Sequence, residues 1–595
     1  MRLSWTHVIL LCQVKKKIFI HLCIKKSRKL LILVIFLDWV RIAADIKENY
    51  ELYDAFIVLH GTDTMAYTAS ALSFMLEELG KTVIITGSQV PLTEVRNDAV
   101  ENLLGALTIA GHFVIPEVTL YFGKKLYRGN RTSKISAVDF EAFDSPNIPP
   151  LVDVGINIDV KWPLVLRPTQ IAKFTVSKNL NPNVGSLRLF PGISDSTIRA
   201  FLAPPIQGVV LETFGAGNAP ARSALLAALK EASDRGVVIV NCTQCRKGVV
   251  TDAYATGKQL ASAGVVPGAD MTPECALTKL AYLLGKIPNN PDYVRKMMTR
   301  NLRGELTVRA PYQRFSASNN RTSMLVNILT RFSSSKLVRR MSRASIEDID
   351  IASDGLNEEE EIDLAMSTEE EIVAERILLP VLLCSAAAVN DIDGLRSLVE
   401  SIGETINLNC VDYDGRVPLH IACREGHHKI VEYLLLHGAA IHVRDHSGHT
   451  PLFDAVVHQR AEVISILRKA GAHLAENELN DMGPFWFKAI KSNNVRWVQI
   501  ALDAGFNVNW ADPVEGRRGI DIAVTLGHVS ILKILLNQVG IEDRFDKVID
   551  KWGMTVLDKL ELLKKRHDLI QPIKNRVSLE TIEQMETLLY NRIQD

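Results

Sequence analysis

The 595-residue chain is short of cysteine, short of aromatic residues (6%) and without net charge. Eight cysteines are too few for a disulfide scaffold and fit a reducing, cytoplasmic compartment. Equal totals of 68 Lys+Arg and 68 Asp+Glu exclude a chain-wide electrostatic footprint for nucleic acid. Long apolar runs are also missing from the N-terminus. The longest in residues 1–37, Leu30 to Leu37, has eight residues, far short of a membrane span. A signal peptide needs its apolar region nearer the start, and Ala43-Ala44 is the small pair that could mark a cleavage site. No spaced His/Cys/Asp cluster offers a metal site, no cofactor is implied, and no G-x-S-x-G elbow supports a serine-hydrolase mechanism such as a lysophospholipase. What is present is ordinary for folded protein: 47% apolar and 23% charged residues, over a length that predicts roughly three or four cooperative units.

The zero charge averages unequal stretches. Residues 1–37 carry eight Lys/Arg and no acid, residues 312–345 carry seven and no acid, and residues 346–375 carry thirteen Asp/Glu and no base. The first stretch reads as an atypical N-terminus. Residues 312–376, rich in Ser, Arg and then Glu, read as a flexible linker. Within it, Arg339-Arg340-Met341-Ser342 has the form of a basophilic kinase site, although a solvated linker accounts for it equally.

Between these lie alternating strands and helices. Ala55–Leu59, Thr82–Thr86 and Val118–Phe122 are buried-strand runs. Thr64 can cap a helix from Met65 to Leu79, and Asp98 opens another to Ala110. Pro and Gly punctuation over 180–204 predicts an inter-lobe connection. A second series follows: Gly208–Glu212, Arg222–Arg235, Val237–Asn241 and a helix from Pro273 to Leu284. The pattern predicts an α/β fold of two lobes, 38–190 and 205–311, with mostly parallel sheets and ligands beyond the carboxyl ends of the strands.

From about 380 the sequence repeats. Pro418 and Pro451, and Ala422 and Ala455, are each 33 residues apart, within the segments Val417-Pro418-Leu419-His420-Ile421-Ala422 and Thr450-Pro451-Leu452-Phe453-Asp454-Ala455, and Gly438 and Gly471 are 33 residues apart as well. This period and core resemble the ankyrin repeat, which implies an all-α solenoid over 380–570, a C-terminal helix over 571–595 and a protein partner that composition does not name. The histidines at 420, 427 and 428 lie in these repeats, and His420 reads as bonded to its own turn.

One segment could carry chemistry. His60-Gly61-Thr62-Asp63-Thr64 falls where a buried strand ends and a helix begins. By residue type alone, Thr and Asp there serve as helix caps just as well. The longer run His60-Gly61-Thr62-Asp63-Thr64-Met65-Ala66-Tyr67 resembles a signature of the asparaginase family. So, in order, do Thr86-Gly87-Ser88-Gln89, Arg96-Asn97-Asp98, Arg128-Gly129-Asn130-Arg131-Thr132-Ser133-Lys134, Thr213-Phe214-Gly215-Ala216-Gly217-Asn218 and Tyr254-Ala255-Thr256-Gly257. The likeness runs from about Trp39 to Thr307 and is closest to the cytosolic type I branch. It implies a homo-oligomeric amidohydrolase that converts L-asparagine to aspartate and ammonia. Thr62, Asp63 and Lys134 would be catalytic, Gly61, Thr62 and Asp63 would bind substrate, and Asn218 would line a neighbouring subunit's site. Without the resemblance, Lys134 is a lysine in a basic loop and Asn218 a left-handed turn residue.

Two departures accompany the resemblance. The family opens with a strand and a TGGTI segment holding the primary nucleophilic threonine, followed by a loop tyrosine and an Asp-Ser substrate clamp. No TGGTI stands before Asp45, so the expectation is a first lobe lacking its first strand, that threonine, the loop tyrosine and the clamp. Weak or absent turnover follows, with a non-catalytic asparaginase-fold scaffold as the alternative. In bacterial type I relatives an Arg ahead of the Gly-Asn turn contacts the carboxylate of an asparagine effector. Glu212 stands there instead and would repel it, which removes the expectation of that allostery. Cys242-Thr243-Gln244-Cys245 nearby reads as packing rather than redox chemistry.

Overall fold

The computed structural model describes residues 8–11, 17–22, 36–220, 222–250, 255–307, 368–402, 406–538, 548–569 and 577–594. Tyr254, the Arg339–Ser342 motif and the charged segment 308–367 lie outside the described residues. Two compact units form: one within residues 1–374, without 171–173 and with 397–407, and one from the remaining residues.

In the first unit an eight-stranded sheet runs in the order Val8–Leu11, Lys17–Leu22, Ala55–Leu59, Thr82–Thr86, Val118–Phe122, Lys125–Arg128, Val152–Val154, Ile158–Val160. The middle pairings from Lys17–Leu22 to Val118–Phe122 are parallel, and the outer ones are antiparallel. The three strands read from apolar runs occur at their expected residues.

The expectation of a missing first strand is overturned. Lys17–Leu22 pairs in parallel with Ala55–Leu59, from Ile18 opposite Ala55 to Leu22 opposite Leu59. Its side chains serve both faces, as a parallel strand requires. Phe19 joins the core with Trp39, Ile42 and Phe56, while Ile18 and Ile20 join the opposite core with Ile57, Ile84 and Leu126. Lysine-flanked and only three apolar residues deep, the run looks weak locally. Its stability comes from burial on two faces.

Two further differences concern local signals. Thr62–Thr64 forms a 3₁₀ turn, and Thr64 makes no side-chain cap bond to the helix Met65–Met75, which ends four residues earlier than its periodicity suggests. Within 180–204, Val184–Arg188 is a strand and Asp195–Phe201 a helix capped by Ser194. That strand opens a second, all-parallel sheet with Gly208–Thr213, Val238–Thr243 and Val265–Pro267. The helix Pro273–Lys286, capped by Thr272, covers one face of it with Cys275, Ala276, Leu280 and Leu283.

The second unit is helical. Helix pairs include Pro418–Glu425 with His428–Leu436, Pro451–Val457 with Ala461–Lys469, Glu476–Lys491 with Val495–Asp503, and Gly519–Leu526 with Val529–Gln538. The recurring glycines have a backbone cause. Gly438, Gly471 and Gly505 end the second helices with φ of +86°, +91° and +90°, where a Cβ is unfavourable. Thr368–Val389 precedes the repeats and begins inside the stretch read as linker, and Leu579–Gln594 closes the described chain. His420 accepts from Val417 N–H through Nδ1 and bonds the His449 carbonyl through Nε2, and burial lowers its pKa to about 4. Asp454 is buried in the next inner helix with Oδ2 unbonded. Burial, only partly offset by Arg416, raises its pKa to about 6.

Two outcomes follow. Phe19→Ala removes a ring from a closed core and lowers stability by about 3–5 kcal/mol, read from denaturant unfolding of the first unit. For Asp454 the folded state holds the proton more tightly than the unfolded state. Stability is therefore lost as pH rises from about 4 through 6. Asp454→Asn stabilises the repeat unit at pH 7 by on the order of 2–3 kcal/mol, read as a raised melting temperature, and the gain shrinks by pH 4.

Candidate active site

The carboxyl end of strand Ala55–Leu59 delivers His60 and the 3₁₀ turn Thr62–Thr64 to the rim of the first sheet. A hydrogen-bond chain fixes this exit. Trp39 Nε1 donates to Thr68 Oγ1 (2.8 Å), Thr68 lies 2.9 Å from His60 Nε2, and His60 Nδ1 donates to the Gly61 carbonyl at 2.7 Å. The chain needs His60 neutral with its proton on Nδ1, and burial pushes the imidazole below its ordinary pKa, in agreement. Gly87, just past the neighbouring strand, comes so close that a Cβ would stand 2.1 Å from the His60 carbonyl oxygen. Its loop is held by Asp98, which accepts from the Gln89 and Val90 amides and from Asn102 Nδ2 rather than capping its own helix.

Lys134 reaches the same rim from a short strand, Ser133–Lys134, paired with Phe143–Asp144. Its Nζ donates to Thr62 Oγ1 at 2.9 Å and to Asp63 Oδ1 at 2.7 Å. Three residues chosen from the sequence thus meet within hydrogen-bonding distance, although Lys134 is 71 positions from Asp63. Gly61 is extended and exposed beside them, with nothing within 4 Å of its Cβ position. Asn218 stands in a second-lobe turn, exchanging backbone bonds with Phe214. Gly215 and Gly217 take the positive φ values of that turn, so a left-handed Asn218 is a reading the structure corrects.

Ser133, Glu274 and Tyr67 carried no separate role in the sequence. Ser133 Oγ donates to Glu274 Oε2 at 3.0 Å, and burial raises the Glu274 pKa, helped by the charge of Glu212. Tyr67, half-buried, is likewise raised by burial and by both glutamates. Glu212 itself accepts from Ser186 Oγ at 2.6 Å and lies 3.8 Å from Arg188. Cys242 is buried with its thiol pushed well up by desolvation, while Cys245 is exposed and free. Among the described residues no group of acidic, His or Cys side chains could hold a metal ion, and no helix is long and apolar enough to cross a membrane.

Chemically, a hydroxyl bonded to an amine and beside a carboxylate can exchange a proton and hold a cationic ligand. Because the Asp63 side chain is 73% exposed, the pair with Lys134 adds little to folding. Lys134→Met is therefore expected to change unfolding free energy by less than about 1 kcal/mol, measured by denaturant titration. A larger loss would make the lysine structural.

Comparison with known proteins assigns the two lobes and the repeats to known families. Residues 34–166 match the family described as Asparaginase, N-terminal, residues 183–298 match the Glutaminase/Asparaginase C-terminal domain, and residues 383–481 match Ankyrin repeats (3 copies). An L-asparaginase of Dirofilaria immitis is 39% identical over 523 residues, covering 88% of this chain and 81% of the relative. A 60 kDa lysophospholipase of Mus musculus is 39% identical over 498 residues, 84% of this chain and 81% of the relative. L-asparaginase 1 of Escherichia coli K12 is 53% identical over 271 residues, 45% of this chain and 80% of the relative. With two α/β lobes, Thr62, Asp63 and Lys134 meeting at the strand ends, and a helical repeat unit following in the chain, the protein belongs to the asparaginase family of amidohydrolases, in the form that carries ankyrin repeats.

Proposed function

We propose that the Thr62–Asp63–Lys134 site hydrolyses the side-chain amide of L-asparagine to aspartate and ammonia. The observation that carries this reading is Lys134 Nζ lying 2.9 Å from Thr62 Oγ1 and 2.7 Å from Asp63 Oδ1. An amino-acid substrate brings its own ammonium to Asp63, which then competes with Lys134 for the carboxylate. Released from Asp63 and facing a second cation, the Lys134 ammonium gives up a proton to solvent and is left as a neutral amine, a base. It takes the Thr62 hydroxyl proton as Oγ1 attacks the amide carbon. The tetrahedral intermediate collapses as Nζ returns that proton to the departing ammonia. Water then cleaves the aspartyl ester and restores the hydroxyl. Weak turnover is expected, because residues 1–44 hold no TGGTI and so lack that motif's catalytic threonine.

Assembly into homo-oligomers, docking of a protein on the repeats and a cytoplasmic setting belong to the same proposal. Leu92, Val95 and Val138 are exposed on two loops that Gln89 joins by bonding the carbonyls of Ser136 and Asp139, which favours a covered face there. A second reading, a non-catalytic scaffold, is favoured by the same missing TGGTI.

The test is ammonia release from L-asparagine by the full chain. Slow release is expected, lowered at least about 10²-fold in Lys134→Met and Thr62→Ala. Recovery is expected when a family-type TGGTI segment replaces residues before Asp38. Release that survives Thr62→Ala contradicts the proposed site, and inactivity of the folded, restored protein supports the scaffold.

A further inference from the structure

The segment that ends in Lys134 is held almost residue by residue to the second lobe. Arg128 Nη1 donates to the Gly304 carbonyl at 3.3 Å, and Asn130 Nδ2 donates to the Arg303 carbonyl at 2.8 Å. Arg131, essentially without solvent exposure, donates through Nη1 to the Glu305 carbonyl. Its Nη2 donates to Asp270 Oδ2 at 2.6 Å and to Thr307 Oγ1 at 2.7 Å. Thr307 closes the triangle, its amide donating to Asp270 Oδ1 at 3.0 Å and its hydroxyl to Oδ2.

The facing segment Leu302–Thr307 is equally fixed. The Glu305 carboxylate accepts from the amides of Leu302 and Arg303 and pairs at 2.6 Å with Lys279, both side chains fully buried. Lys279 also donates to the carbonyls of Met298 and Arg300. Burial alone would raise the Asp270 pKa, but the bonds from Arg131 and Thr307 outweigh it and hold the carboxyl below its ordinary value. A buried guanidinium satisfied by two acceptors and a hydroxyl is a rigid anchor, and Lys134 follows it by three residues on a strand of only two.

We propose that Arg131 is a positioning residue for Lys134, and that the second-lobe tail Leu302–Thr307 is the template against which it sets the lysine between Thr62 and Asp63. The proposal rests on the function assigned to that site. It adds that the lysine's place is written in the other lobe.

The experiment uses the full chain as wild type, Arg131→Lys and Thr307→Val. Acetic anhydride labels lysines across pH 7–10, and mass spectrometry follows Lys134 against the other lysines, alongside kcat and KM for L-asparagine. Thr307→Val, which deletes one hydroxyl, is expected to raise Lys134 labelling about 5-fold, the equivalent of one hydrogen bond of about 1 kcal/mol. Its kcat falls by a similar factor at unchanged KM. Arg131→Lys, which cannot reproduce the planar fork, is expected to exceed that change. If Arg131→Lys fails to fold, Thr307→Val decides alone. Folded variants with wild-type labelling at Lys134 overturn the proposal, whatever their melting temperatures. Changed labelling in a chain that releases no ammonia upholds the positioning and defeats the asparaginase reading. Normal ammonia release with unchanged labelling does the reverse.

Discussion

The buried ion pair between Arg131 and Asp270 is the interaction on which the site's geometry depends. A guanidinium out of water is tolerable only when its donors are matched, and removing one partner of such a pair costs several kcal/mol. Here the matching groups come from the second lobe, while the backbone that carries the arginine belongs to the first. Joining the lobes and aiming Lys134 are thus one structural event. The first sheet supplies the other half of the meeting, ending its strand in a turn fixed by Trp39, Thr68 and His60. Two independent supports converge on a hydroxyl, a carboxylate and an amine, and the proposed chemistry draws on all three.

Much of the fold was legible because parallel strands buried on both faces leave continuous apolar runs. Ala55–Leu59, Thr82–Thr86 and Val118–Phe122 are of that kind. Lys17–Leu22 was not, since its lysine flanks hide a three-residue apolar centre whose stability comes from neighbours far along the chain. Val184–Arg188 sits among Pro and Gly signals and mixes Gly, Ser and Arg into its strand, so punctuation outweighed pattern. At the site, residue types located the Thr62–Asp63 turn, but pairing it with Lys134 needed a family likeness. Arg131 stood only as one letter of a family-like run, and Asp270, Lys279 and Glu305 gave no signal. A charged residue in a sequence reads as solvent-facing, and only packing reveals that these four neutralise one another inside the protein.

The N-terminal segment changes meaning in the same light. Its eight positive charges and missing TGGTI set it apart as sequence. As structure it completes the sheet: Ile18, Phe19 and Ile20 close two cores that would otherwise open to water. Fold and catalytic equipment are thus separable here, with a strand in place and a nucleophile-bearing motif absent. In the repeats the recurring glycines Gly438, Gly471 and Gly505 end helices in the left-handed region.

The most direct measurement of the central claim is mass spectrometry of the full chain quenched during exposure to L-asparagine. An ester-linked aspartyl group on the peptide containing Thr62, absent in Lys134→Met, is the result expected of a hydroxyl activated by that amine. Ammonia release with no adduct on Thr62, or with the aspartyl group on another residue, would contradict it.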